Sequence, residues 1–303
     1  EWWYFDAVFE NGYSIHFGLR TYHIKKSGIV QARITIYKDG KVISATVKPY
    51  LYSNFSTSNQ HPFVAIDGKT VMELNKDHYN KTGEWKYYIR FSIGKNAFDL
   101  TFLGQTKGWK IETSATCWAV ALPKASVTGS ITVDGSNIKV NGIGYHDHNW
   151  GYSPTTAVSN HGWFWGRITS DTLNITWSKV IKDKKQGDLL SIINQDSMQI
   201  KDTSNFFNIP PSCITFNVQN FITNRKKRIP KKFELRLSHN STQKESVLKA
   251  NISMNTYDIH HSRIFTIHYW RFHIKANGMI QVGSTIEYLE DKPQIIEYLL
   301  FKT

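Results

Sequence analysis

The densest chemistry in the chain lies in one segment, Gly142-Ile-Gly-Tyr-His-Asp-His-Asn-Trp-Gly151. A phenol, a carboxylate, two imidazoles, an amide and an indole occupy consecutive positions from Tyr145 to Trp150. On an extended strand, side chains alternate between faces. Tyr145, Asp147 and Asn149 then share one face, and His146, His148 and Trp150 the other. The first face reads as an acid/base site, a carboxylate flanked by two hydrogen-bonding groups. Asp147, Tyr145 and His148 are the candidate catalytic residues. The second face could place two imidazoles on one metal. A metal site needs three or four ligands, however, and the other histidines are scattered; His260 and His261 are adjacent and point to opposite faces of a strand. No metal is expected. The plainer alternative for the whole segment is a polar strand end whose hydrogen bonds tie two domains together.

Aromatic residues are abundant, with 10 Trp, 15 Tyr and 17 Phe, and flat side chains suit pleated sheets and apolar pockets. Trp163, Trp165 and Arg167 share one strand face. Trp2, Trp3, Trp150, Trp163 and Trp165 all stand at the start of a half of the chain or beside its middle. Together with Asn149 and Arg167 they are candidate ligand-binding residues, forming an aromatic wall for an apolar molecule. There is no G-x-S-x-G elbow, no P-loop, and no G-x-G-x-x-G leading into a helix, so nucleotide cofactors and serine hydrolase chemistry have no support. No cofactor is expected.

Lys and Arg number 37 against 24 Asp and Glu, a formal net charge of +13. Part of the excess is one run, Arg225-Lys-Lys-Arg-Ile-Pro-Lys-Lys232. It reads first as a solvated hairpin loop and second as a surface for peripheral contact with an anionic membrane. It contains no aromatic residue for base stacking, so nucleic acid is not an expected partner. An apolar small molecule is. The sequence starts at Glu1 rather than at Met, which leaves room for a removed targeting or anchor segment, and the compartment is not legible.

The elements that position these residues follow a period of two rather than 3.6. Tyr13-Ser-Ile-His-Phe-Gly-Leu19 alternates apolar with small or polar residues, as do residues 32–37. Asp39-Gly40, Asp67-Gly68, Asp134-Gly135, Asn11-Gly12 and Asn277-Gly278 are turn signals between such runs. No stretch makes a convincing amphipathic helix of 12 residues or more; residues 180–199 are the most ambiguous and admit one short helix. Cys117 and Cys213 are too few for a disulfide scaffold. Many short strands with regular turns predict an all-β chain of sandwiches or barrels. Trp163-Phe-Trp-Gly opens a new run of strands much as Trp2-Trp3-Tyr4-Phe5 opens the first, which predicts two β domains, 1–155 and 156–303.

Glu1-Trp2-Trp3-Tyr4-Phe5-Asp6, Gly144-Tyr-His-Asp-His-Asn-Trp-Gly151 and Trp163-Phe-Trp-Gly166 resemble signature blocks of the AttH-like and hydroxyneurosporene synthase (carotenoid 1,2-hydratase) superfamily. Tyr269-Trp270-Arg271 and Ile296-Glu297-Tyr298 resemble its C-terminal blocks. The resemblance implies two lipocalin-like β domains in tandem with a ligand cavity at or near their interface. It also implies chemistry on large, apolar, unsaturated molecules without an organic cofactor, whether hydration, isomerisation or cyclisation. The hydratases' catalytic Tyr and Asp, two residues apart, match Tyr145 and Asp147. Where the hydratases use an upstream His-x-Trp pair, this sequence has Cys117-Trp118 and no His beside it.

Hydrating an alkene requires an acid strong enough to protonate carbon. A carboxyl in water is ionised at neutral pH and has no proton to give. In an apolar, tryptophan-walled cavity, desolvation favours the protonated form. Tyr145 or Asn149 would then hold the water, and indole faces would stabilise the cation. A cyclase would need less, a shaped cavity and one donor to polarise a carbonyl. The alternative to an enzyme is a lipocalin-type carrier of lipid or pigment without turnover.

Overall fold

The computed structural model describes residues 1–25, 27–58, 60–112, 117–151, 161–182, 189–196, 206–242, 246–264 and 267–301. Almost every element is a strand, as the period of two predicts. The described residues fall into two compact units, 1–151 and 161–301. The expected boundary near residue 155 lies outside the described residues.

Unit 1 opens with four long strands, β1 (Trp2–Phe9), β2 (Tyr13–Ile24), β3 (Ser27–Lys38) and β4 (Lys41–Leu51). Shorter ones follow: β5 (Phe55–Thr57), β6 (Phe63–Ile66) and β7 (Lys69–Leu74). After the helix α1 (Lys76–Thr82) come β8 (Lys86–Ile93), β9 (Asn96–Gly104), β10 (Trp109–Glu112), β11 (Cys117–Val133) and β12 (Ser136–Trp150). They form one antiparallel sheet in the order β4-β3-β2-β1-β12-β11-β9-β8-β7-β6-β5, with β10 added on β11. The sheet rolls back on itself. Trp3 of β1 packs on Phe55 of β5 with ring centroids 5.4 Å apart, and Asn96 donates to Ser44 Oγ of β4 at 2.8 Å. Phe5, Phe17, Ile34, Ile89, Leu100 and Phe102 fill the interior.

Unit 2 starts with β13 (Gly162–Thr169), β14 (Leu173–Ile181), β15 (Leu189–Gln195) and β16 (Phe206–Ile209). It continues through β17 (Ile214–Gln219), β18 (Ile222–Asn224), β19 (Lys227–Ile229) and β20 (Lys232–Ser241). It ends on three long strands, β21 (Ser246–Ile264), β22 (Ile267–Val282) and β23 (Thr285–Leu300). The main sheet runs β16-β15-β14-β13-β23-β22-β21-β20-β17. Its interior holds a run of aromatic rings: Trp177 lies 4.1 Å from Phe216, and Phe164 stacks on Tyr298 at 4.3 Å. Gly166 is required there, because a Cβ at that position would meet the Trp177 indole at 2.5 Å. In each unit the first strand pairs with the last, β1 with β12 and β13 with β23. The two Trp-rich openings therefore occupy the same place in their sheets.

Three Asp-Gly turns behave as expected. Asp39-Gly40, Asp67-Gly68 and Asp134-Gly135 have positive φ at both residues, the twist that two-residue hairpins favour. Asn277-Gly278 does not turn the chain. Gly278 sits inside β22, at a shift of register against β23, with φ +141 and its Cα against the Asn251 carbonyl; the glycine serves a bulge. Residues 189–195 are strand β15 rather than a short helix. The helix α1 has no apolar stripe and is defined by its ends. Asn75 Oδ1 accepts from the His78 N–H, and Gly83 closes it with φ 74. The basic run makes the β18–β19 hairpin, with Arg225 and Lys226 at positive φ in its turn. No helix among the described residues is long and apolar enough to cross a membrane.

Candidate functional site

Strand β12 sorts its side chains as alternation requires. On one face Asp147 is buried and accepts three hydrogen bonds from neutral donors. Trp118 Nε1 donates to Oδ2 at 2.9 Å, the Tyr145 hydroxyl to Oδ2 at 2.8 Å, and Asn149 Nδ2 to Oδ1 at 3.0 Å. Trp118 comes from β11, which lies beside β12 with Trp118 opposite Asn149. Of the Cys117-Trp118 pair, the indole is what reaches the carboxylate. Burial, and next the negative charge of Asp147, hold the Tyr145 phenol protonated well above its ordinary range.

Strand β1 adds a second phenol–carboxylate pair on the same face. Tyr4 faces Asp147 and Asp6 faces Tyr145 across the ladder. The Tyr4 hydroxyl donates to Asp6 Oδ2 at 2.9 Å, and its ring meets Tyr145 edge-on at 6.0 Å. Sequence reading missed Tyr4, Asp6 and the role of Trp118. Alternation along Trp2-Trp3-Tyr4-Phe5-Asp6 carries the signal for the first two; Trp118 is legible only from the register. Trp2, also on this face, lies beneath the Arg20 guanidinium, 5.8 Å from its ring.

The other face of β12 looks into unit 1. Its residues His146, His148 and Trp150 line a cavity of about 620 Å³ with Glu1, Trp3 and Tyr87. His148 stacks on Trp3 at 4.4 Å and pairs with Glu1 Oε2 at 3.1 Å. That hydrogen bond holds the Glu1 carboxyl below its usual range. His146 stacks on Phe5 at 3.7 Å and donates through Nδ1 to the Tyr4 carbonyl at 2.9 Å. The two imidazoles therefore have separate partners. Among the described residues no group of three or more His, Cys, Asp or Glu could hold a metal ion. The structure thus gathers Asp147, Tyr145 and Asn149 on one side of β12, and places His148, Trp3 and Trp150 on the other.

The remaining candidates belong to unit 2. Trp163 packs edge-on against Phe301 at 4.9 Å, Trp165 is buried, and the buried Arg167 donates to Thr169 Oγ1 at 3.2 Å. A further carboxylate stands beside Trp165 across the ladder. Glu297 accepts from the Tyr269 hydroxyl and pairs with Arg271 Nη1 at 2.7 Å.

A protein of Nitrosomonas europaea assigned as an AttH shares this fold, with a TM-score of 0.67 over 100% of this chain and 92% of that one, at 14% identity. CghA, solved with Sch210972, matches with a TM-score of 0.66 over 99% and 87%, at 10% identity. The fold is AttH-like. It is lipocalin-like and all-β, as the signature blocks imply. Quinolone epoxide rearrangement proteins of Emericella nidulans and Penicillium thymicola match locally, at 35% identity over 65 residues and 34% over 59. These matches span 21% and 20% of this chain, and only 18% and 16% of the two relatives. No family model matches the chain.

Proposed function

We propose that this protein is a cofactor-independent enzyme that rearranges or cyclises a large, apolar, polyketide-like molecule, with Asp147 as its proton-handling carboxylate. One observation carries the reading: Trp118, Tyr145 and Asn149 converge with three hydrogen bonds on a single buried carboxylate. Three donors fix the carboxylate in position. It can stabilise positive charge that develops on a substrate, or take a proton from it. Tyr145, kept protonated by its surroundings, spends its one O–H on Asp147 and so orients the carboxylate. A rearrangement or cyclisation moves bonds without net gain or loss of atoms, so a proton given at one position and taken at another suffices. The local matches to quinolone epoxide rearrangement proteins support this class of reaction. The carotenoid hydratase reading has less support, because residue 116, two before Trp118, is a threonine where a His-x-Trp pair needs a histidine.

The test starts from apolar molecules that co-purify with the protein, identified by mass spectrometry and returned to it as substrates. The expected product has the mass of its substrate. A gain of one water would assign hydration instead, and a bound molecule returned unchanged would assign a carrier. Asp147→Asn should bind the same molecule and fail to convert it; conversion at the parent rate would remove Asp147 from the role.

A further inference from the structure

The cavity inside unit 1 does not share a side chain with the Asp147 cluster, since it lies on the opposite face of β12. At about 620 Å³ it is of the size that takes a drug-sized molecule. Two of its lining groups are polar, almost wholly buried, and free at one atom. Tyr87 is 1% exposed, and burial alone acts on its phenol, raising it far above its ordinary range; its hydroxyl has no hydrogen-bond partner. His146 is 2% exposed and spends Nδ1–H on the Tyr4 carbonyl, which leaves Nε2 as an acceptor. The two rings meet edge-on with centroids 5.1 Å apart, so one small group on a ligand can reach both. Both atoms open on the cavity, where a few convergent polar groups among apolar walls orient a ligand.

The walls define the rest of the ligand. Trp3, Trp85 and Trp150 offer flat aromatic faces. Burial holds His146 neutral, with its pKa lowered to about 3. A ligand anion placed beside it would be desolvated without a counter-charge, which is costly. We propose that this cavity is a ligand site of its own, for a neutral, planar, conjugated small molecule carrying a hydrogen-bond donor beside a carbonyl oxygen. Tyr87 donates to the carbonyl, and His146 Nε2 accepts from the donor. The inference stands apart from the catalytic reading of Asp147.

Phenanthridinone, a planar lactam with N–H next to C=O, is a direct probe, titrated against the full chain by tryptophan fluorescence. Saturable binding is expected. Tyr87→Phe removes only an unpartnered hydroxyl, so the variant folds, and it should bind about 2- to 10-fold more weakly, the value of one neutral hydrogen bond. N-methylphenanthridinone lacks the donor for His146 and should bind the parent more weakly by a similar factor. Ala119→Trp should abolish binding by filling the cavity, because Ala119 lies opposite His148 on its wall. Asp147→Asn should leave the affinity unchanged. Failure of the parent to saturate would overturn the proposal, as would parent-like binding by both Tyr87→Phe and Ala119→Trp. Loss of binding in Asp147→Asn alone would move the lactam to the other face of β12 and overturn it equally. None of these results depends on turnover.

Discussion

Asp147 and Glu297 each stand three residues before the end of the last strand of their unit, β12 and β23. Each lies opposite a residue of the preceding strand, Val120 for Asp147 and Arg271 for Glu297. Two residues earlier on that strand sits a donor to the carboxylate, Trp118 in unit 1 and Tyr269 in unit 2. The repeat thus builds one frame twice. At the position directly opposite, valine in one unit and arginine in the other change what the carboxylate is for. Glu297 is neutralised by a buried guanidinium, a pairing that holds structure. Asp147 is held in place by Trp118, Tyr145 and Asn149. The interiors differ as well. Unit 1 has an open cavity lined by Tyr87 and His146, whereas Trp177, Phe216, Phe233 and Phe164 pack against one another within unit 2.

The largest expected effect separates the two carboxylates by activity. Asp147→Asn should lower turnover about 100-fold or more, the usual loss for an acid/base group, with little change in far-ultraviolet circular dichroism. Glu297→Gln should leave turnover of the folded protein near the parent value. Equal losses in the two variants would end the distinction.

Stability should separate them the other way. Glu297→Gln removes the carboxylate that pairs at 2.7 Å with the fully buried Arg271. Breaking one partner of such a pair costs about 3–5 kcal/mol, readable as a lower urea midpoint. A loss below about 1 kcal/mol would mean that Arg271 does not depend on Glu297.

The sequence made the face of Asp147 legible because alternation along Tyr145 to Trp150 requires only that the segment be extended, and β12 is. Trp118 was out of reach. It lies 29 residues away, and β11 shifts register twice between Val120 and Ala125, so no count along the chain aligns the two. Tyr4 and Asp6 were within reach of the same alternation, but the Trp2-Trp3 pair drew attention as an aromatic wall. Asn277-Gly278 failed as a turn signal because Gly278 takes φ 141 at a bulge inside β22 rather than the φ of 73 to 88 of the three hairpin glycines. Tyr87 had no signal at all: it is one of 15 tyrosines, and only the rolled sheet brings its ring to His146.

The cavity side of β12 can be probed by pH. His146 has a folded-state pKa of about 3 against an ordinary value of 6.5, so folding keeps it neutral. Its contribution is complete above about 6.5 and is lost as pH falls from there towards 3, at up to about 1.4 kcal/mol per unit. Urea unfolding of the parent should therefore weaken between pH 7 and 5. His261, lowered to about 4, adds the same sign in unit 2. His146→Phe keeps a ring to stack on Phe5 and should flatten the slope by the share of unit 1 alone. An unchanged slope would show that His146 already titrates normally.

The smallest effect is also the finest test of the repeat. Tyr145 and Tyr269 each donate a phenol hydrogen to the carboxylate of their unit. Glu297 keeps Arg271 when Tyr269 is lost, so Tyr269→Phe should cost about 1 kcal/mol of stability, the net value of an ordinary hydrogen bond, and leave turnover unchanged. Tyr145→Phe removes one of three donors to the Asp147 carboxylate, a bond to a charged group worth about 1.5–3 kcal/mol. Part of that loss should appear in turnover, because Tyr145 orients Asp147. The pair of variants is read together, by urea midpoint and by kcat. If Tyr145→Phe and Tyr269→Phe differ in neither quantity, the valine-for-arginine difference between the units has no functional consequence. If they differ in kcat alone, Tyr145 works on the substrate rather than on the fold.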